Sequence, residues 1–242
     1  MEIQIVDNYQ QMTIKAADIV AHQVNQKKDS VLGLATGSTP EGMYARLVEM
    51  YRDKMIDFAS VVTFNLDEYT ALSLKHPQSY HCYMGRHLFD HVNIRPENTH
   101  IPHGNNEQDI SEVCREYDDK ISSMGGIDLQ ILGIGVNGHI GFNEPGQFLQ
   151  TRTHLVELAE KTVEANSRFF SSPEEVPRRA ITMGMASIMH AKKIMLLASG
   201  ESKASAIQKS VSGRISTDIP ASLLQLHRDI ILIVDKQAAS LL

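Results

Sequence analysis

Apolar residues follow two rhythms along the chain. Met12, Ala16, Ile19, Val20 and Val24 recur at helical spacing, which predicts a helix over 8–26, with a short edge strand at 3–6 before it. Residues 31–35 form an unbroken apolar run, which predicts a buried strand. It enters Thr36-Gly37-Ser38-Thr39-Pro40, where Pro40 suits the first helical position and Ser38 or Thr39 the cap. The helix then runs to 55, with Met43, Tyr44, Leu47, Val48 and Tyr51 on its inner face. Further strands are predicted at 61–66, 127–132, 177–183, 193–198 and 230–234. Helices are predicted at 79–91, 106–124 (polar and exposed), 161–170, from 183 to 190, up to 211 and at 222–226. Strands and helices therefore alternate. That order predicts an α/β fold: a mostly parallel, Rossmann-like sheet covered by helices on both faces, in one domain over 1–242.

Composition agrees with that class and narrows the partners. At 242 residues, with 42% apolar and 21% charged residues, the chain can bury a substantial core. The net charge of -6 argues against a nucleic-acid binder, although a local basic pocket for a small anion remains open. Cys82 and Cys114 fit neither a metal spacing nor a disulfide framework, and read as reduced helix residues. The first residues, Met-Glu-Ile-Gln-Ile-Val-Asp, lack the regions of a signal peptide, and no apolar run would span a bilayer. The expectation is a cytoplasmic protein.

The candidate chemistry centres on Gly133 to Gly146, which follows the predicted strand at 127–132. Five glycines punctuate it, and Asn137, His139 and Glu144 lie between them. His139 titrates near neutral pH when unperturbed, and Glu144 is near enough to orient its ring. A glycine-rich structural loop with a surface His is the alternative. Gly37, Ser38 and Thr39 lie between a strand and a helix start, where free amides, hydroxyls and the helix dipole suit an anion. A plain capping turn is the other reading. Asp67 and Glu68 follow a strand; adjacent residues point to opposite faces, so one acid would enter a site unless both are exposed. Lys203 sits in the first turn of a helix, against the dipole preference, which a bound anion would explain; a surface lysine is the alternative. His87 and His91 have metal-ligand spacing but no third ligand. Arg168, before two aromatics, could be a snorkelling surface residue. Since the special segments follow strand ends, they converge on one edge of such a sheet. This points to an enzyme for a small phosphorylated substrate, using acid/base chemistry without a metal.

The segments Leu34-Ala-Thr-Gly-Ser-Thr-Pro40, Val62-Thr-Phe-Asn-Leu-Asp-Glu-Tyr69, Gly135-Val-Asn-Gly-His-Ile-Gly-Phe-Asn-Glu-Pro145 and Asn166-Ser-Arg-Phe-Phe170 resemble the glucosamine-6-phosphate deaminase family. The match runs in register over nearly the whole chain. The resemblance implies a Rossmann-like α/β fold and conversion of glucosamine 6-phosphate and water to fructose 6-phosphate and ammonia. This is metal-independent hydrolase/isomerase chemistry in amino-sugar and N-acetylglucosamine breakdown, without a cofactor. It implies that His139, oriented by Glu144 and Asn137, opens the sugar ring, and that Asp67 moves the C2 proton to C1. It implies Arg168 and Lys203 as phosphate ligands, completed by Gly37, Ser38 and Thr39. Asn137 stands where other members carry Asp, which affects the proton-relay detail. Some members are hexamers activated by N-acetylglucosamine 6-phosphate, held by an Arg-x-Lys pair and a C-terminal extension. His154-Leu155-Val156 occupies the pair's positions and the chain ends at Leu242, so a monomer without an effector is expected. A 6-phosphogluconolactonase-like hydrolase and a non-catalytic sugar-phosphate sensor are the alternatives.

Overall fold

The computed structural model describes residues 1–70, 72–104, 109–158 and 175–242. Asn8 starts helix α1 (Tyr9–Gln26) by accepting the Gln11 amide at 3.0 Å, and Met12, Ala16, Val20 and Val24 make its buried stripe. The described strands are β1 (Glu2–Val6), β2 (Val31–Leu34), β3 (Val62–Asn65), β4 (Asp67–Tyr69), β5 (Thr99–His100), β6 (Leu129–Leu132), β7 (His154–Glu157), β8 (Arg179–Thr182), β9 (Lys193–Ala198) and β10 (Ile230–Asp235). Seven of them form a parallel sheet in the order β1-β10-β9-β6-β2-β3-β5. β2, β6 and β10 are buried along their whole length, as expected for strands covered on both faces.

The connections explain that covering. β2 passes through α2 (Glu41–Arg52) to β3 on one side, whereas β9 passes through the Ala204–Ser210 helix to β10 on the other. Right-handed crossovers that step in opposite directions put their helices on opposite faces. The chain order thus reverses between β2 and β6. A crevice opens at such a point, beyond the C-terminal strand ends.

The structure departs from the expected single sheet at Leu66. Its amide bonds Leu34 O at 3.1 Å, continuing the parallel sheet, while its carbonyl accepts the Met183 amide at 2.7 Å. From there the chain becomes β4 and enters a separate antiparallel sheet, β4-β8-β7, with Asp67 opposite Thr182 and Thr182 opposite His154. The strand predicted at 177–183 belongs to this second sheet. β5 and β7 were not expected: β5 has two residues, and β7 has no fully buried position to mark it.

Helix ends also differ. The helix predicted at 79–91 is α3 (Tyr80–His87), broken at Leu88 (φ -144°) before a short turn at Phe89–His91. That predicted at 106–124 is α4 (Ile110–Ser123), which is not merely an exposed polar helix. It buries Cys114, Tyr117, Asp118 and Ile121, and Asp118 accepts bonds from the Thr153 amide and hydroxyl and from Ser187 Oγ at 2.6–3.0 Å. Cys82 and Cys114 are free cysteines on α3 and α4. The segment predicted to be helical at 161–170, including Arg168, lies outside the described residues. Among the described residues no helix is long and apolar enough to cross a membrane.

Candidate active site

The glycine loop leaves β6 at the switch point and folds back on itself. The Gly135 amide bonds His139 O at 2.9 Å and the Gly138 amide bonds Gly135 O at 3.0 Å. The His139 ring then lies over Gly135, where any side chain would occupy the space of the ring. The far side of the loop is tied to β8, because Asn143 Nδ2 donates to Met183 O at 2.8 Å and the Phe142 amide donates to Thr182 Oγ1 at 3.1 Å.

Within this loop the three predicted polar residues form one unit. Asn137 Oδ1 accepts the His139 amide at 3.2 Å, and Asn137 Nδ2 donates to Glu144 Oε2 at 2.6 Å. The other carboxylate oxygen, Oε1, stands 3.0 Å from His139 Nδ1. The carboxylate therefore lies against the Nδ1 edge of the ring at ion-pair distance, though without hydrogen-bond alignment, and can orient the ring electrostatically. Asn137 fixes the carboxylate without adding charge.

Asp67 and Glu68 divide as their alternation along β4 requires. The Glu68 carboxylate accepts the Tyr69, Tyr80 and His81 amides at 2.9, 3.0 and 3.0 Å, and so closes the first turn of α3. Asp67 faces the crevice instead, 7% exposed, and no described residue donates a hydrogen bond to its carboxylate. Burial, and secondly the charge of Glu68, push its pKa up to about 8. The expectation that one of the two acids enters the site holds for Asp67.

The turn after β2 leads to a helix start that none of its own side chains caps; Tyr9 Oη, from α1, accepts the Gly42 amide at 2.9 Å. Gly37 adopts φ +88°, a conformation that favours glycine, and its carbonyl accepts Tyr83 Oη at 2.7 Å. The Ser38 carbonyl accepts Tyr9 Oη at 3.1 Å. Neither Ser38 nor Thr39 caps α2, contrary to expectation: Pro40 holds the cap position, in helical conformation, and makes no side-chain bond. With Tyr9 Oη taking only the Gly42 amide, the other first-turn amides have no partner within the helix, which favours an anion there. Lys203 comes from the turn Glu201–Lys203, just before the Ala204–Ser210 helix rather than inside its first turn. Burial lowers its pKa from the ordinary lysine value.

These groups meet in two adjoining cavities. The inner one, about 170 Å³, is lined by Gly37, Thr39, Asp67 and His139 together with Thr36, Tyr80 and Phe142. An outer one, about 790 Å³, shares Gly37, Tyr80 and His139 and adds Ser38 and Lys203. Asn137 and Glu144 sit behind His139. Tyr80 was not expected here. Its only sequence signal is its place after the cap Ser79, and it reaches Asp67's cavity because Glu68 docks α3 against β4. His87 and His91 stay apart from a metal role: the His87 ring packs on Tyr83, and His91 Nε2 lies 2.8 Å from Arg86 O.

Comparison with known proteins decides the family. The description Glucosamine-6-phosphate isomerases/6-phosphogluconolactonase matches residues 7–232. The chain belongs to this family. It is 60% identical over 242 residues to a glucosamine-6-phosphate deaminase of Halothermothrix orenii, covering 100% of both chains. It is 58% identical to one of Thermoanaerobacter sp. (strain X514), covering 100% of this chain and 95% of that protein. A solved structure described as a monomeric glucosamine-6-phosphate deaminase superposes with a TM-score of 0.96 at 46% identity, covering 100% of both chains. A 6-phosphogluconolactonase from Thermotoga maritima shares the fold, with a TM-score of 0.75 at 20% identity over 97% of this chain and 99% of that one. The family description joins glucosamine-6-phosphate isomerases to 6-phosphogluconolactonase, and the similar deaminases fall on its isomerase side, so isomerase rather than hydrolase is the fitting half of the expected chemistry.

Proposed function

We propose that this family member is a deaminating aldose–ketose isomerase that converts glucosamine 6-phosphate and water to fructose 6-phosphate and ammonia. The observation that carries the reading is the inner cavity, where a buried carboxylate that no described residue bonds (Asp67) and the His139 imidazole adjoin the turn before α2. The 58–60% whole-chain identity to deaminases supports it.

In this reading the phosphate lies against Gly37, Ser38, Thr39 and Lys203, with Arg168 as a further ligand. His139 moves the anomeric hydroxyl proton to the ring oxygen, opening the ring to an aldehyde. Asp67 then takes the C2 proton; the C–H electrons form the C1–C2 double bond while the aldehyde C=O electrons move onto O1, which takes up a proton, giving an enolamine. Returning the proton to C1 leaves an imine at C2. Water adds to that carbon, the C–N bond breaks, and ammonia departs. A carboxyl held near pKa 8 is a far stronger base than an ordinary carboxylate, which suits a carbon acid. No step requires a metal or cofactor.

The same reading includes a cytoplasmic monomer acting in amino-sugar breakdown, without an allosteric effector; the monomeric description of the 46% identical structure supports the oligomeric state. A lactonase would hydrolyse an ester and has no use for a base at C2. The test is therefore ammonia release from glucosamine 6-phosphate, with 6-phosphogluconolactone hydrolysis as control. Release of ammonia without appreciable lactone hydrolysis is expected; the reverse would overturn the reading.

A further inference from the structure

The mechanism leaves Glu68 unused, although it is buried beside the proposed base. At 2% exposure its carboxylate accepts three backbone amides, from Tyr69 on its own strand and from Tyr80 and His81 at the start of α3. A simple helix cap could be a serine, as Ser79 already is for this helix, accepting the Cys82 amide at 3.0 Å. The second acceptor is thus an acid, placed next to Asp67 where a like charge is costly. Three donors and no acceptor face it, an arrangement that favours the ionised form. Burial still raises its pKa, with the three amides acting against that rise.

We propose that Glu68 is a positioning residue for the Asp67 base, its pinned carboxylate holding a second negative charge beside Asp67 and fixing the turn that brings Tyr80 into the same cavity. This inference rests on the assignment of Asp67 as the base. The other described groups around Asp67 supply no compensating charge. Tyr69 on β4, Tyr80 on α3 and Tyr117 on α4 are held neutral, because burial first of all raises their hydroxyls, Tyr69 to about 12. Across the cavity stands His139, with the Glu144 carboxylate beside its Nδ1, and Lys203 opens on the outer cavity. Of the described charged groups, Glu68 alone is coupled to Asp67's ionisation, second to burial. Its contribution is to keep the base strong while tying down the neighbouring helix.

The test is the pH profile of kcat/KM, whose acid limb reports the base in the free enzyme. Glu68→Gln removes the charge but keeps Oε1 as acceptor for Tyr69 and Tyr80. Its acid limb is expected to move to lower pH by about half a unit or more, with KM at the optimum little changed. An unmoved limb in folded Glu68→Gln overturns the proposal, because a merely structural cap would lower activity without moving it. Glu68→Asp keeps the charge while shortening the reach to α3, so its limb is expected to stay with the wild type as kcat falls. If Glu68→Gln does not fold, this second variant decides, and a limb displaced downward in Glu68→Asp overturns the proposal. Asp67→Asn serves as the separate control: persistence of C2 proton exchange in that variant would refute the base assignment itself.

Discussion

His139 Nδ1 and Glu144 Oε1 stand 3.0 Å apart, and Asn137 holds the opposite oxygen of the same carboxylate at 2.6 Å. The imidazole thus has a carboxylate at ion-pair distance beside Nδ1. If its task is ring opening, His139→Gln should lower kcat/KM for the cyclic substrate by roughly 10²–10⁴-fold, the usual worth of a general acid/base. An open-chain substrate analogue should lose far less. Equal losses on both substrates would move His139 to the enolisation step.

Glu144→Gln tests the orienter separately. Gln can still bond Asn137 or the ring but carries no charge to stabilise the protonated imidazole. The expected loss on the cyclic substrate is smaller than that of His139→Gln, roughly tenfold. A loss as deep as that of His139→Gln would give Glu144 a direct role in proton transfer.

Asp67 ties activity to stability. Its pKa rises from 3.8 to about 8 on folding, first through burial and then through Glu68. The folded protein therefore holds this proton more tightly than the unfolded chain. Stability is highest with Asp67 protonated, and it is lost as pH climbs from 3.8 through about 8. Asp67→Asn removes that cost, which is at most roughly 6 kcal/mol. The variant should release no ammonia and exchange no C2 proton, yet melt several degrees above the wild type at pH 9. At pH 4 the two melting temperatures should converge; a pH-independent difference would mean that Asp67 is not the titrating group.

How far this site was legible in the sequence depends on what sets each contact. His139, Asn137 and Glu144 are bonded within one loop, so their spacing carried the information. The start of α2 was legible for the same reason, since strand, turn and helix are contiguous. The second sheet was not, because it is made at Leu66, whose two backbone bonds reach Leu34 and Met183. Nothing local marks residue 66 as a corner. Tyr80 was missed because its place follows from the long-range clamp by Glu68. The burial of Asp118 depends likewise on Thr153 and Ser187. Local patterns yielded elements and loops; pairings across the chain required the structure.

Lys203 is expected to contact the phosphate. It opens on the same cavity as Gly37 and Ser38, and its lowered pKa reflects a half-buried ammonium that an anion would stabilise. A charge-assisted bond of this kind is worth roughly 1.5–3 kcal/mol. Lys203→Met should therefore weaken fructose 6-phosphate binding by about tenfold or more. Unchanged affinity in calorimetry would place the phosphate elsewhere.

The last prediction concerns regulation. The family resemblance implies that effector-activated members hold the phosphate with cations at the positions of His154 and Val156, which carry no such pair here. His154 lies on β7 with Nδ1 2.9 Å from Arg152 O, and burial, chief among its influences, lowers its pKa. It is therefore mainly neutral at pH 7 and offers a phosphate no fixed charge. Val156 turns its side chain toward the small apolar cluster around Tyr69, Phe142 and Ala180. A lysine introduced at 156 would have to abandon that packing to reach an anion. An effector acts only through its different affinity for two states, and neither residue supplies a charged contact on which such a difference could rest. Saturation with glucosamine 6-phosphate should be hyperbolic, and N-acetylglucosamine 6-phosphate should not raise the rate at subsaturating substrate. A sigmoidal curve made hyperbolic by the acetylated sugar would show that a phosphate site exists away from His154.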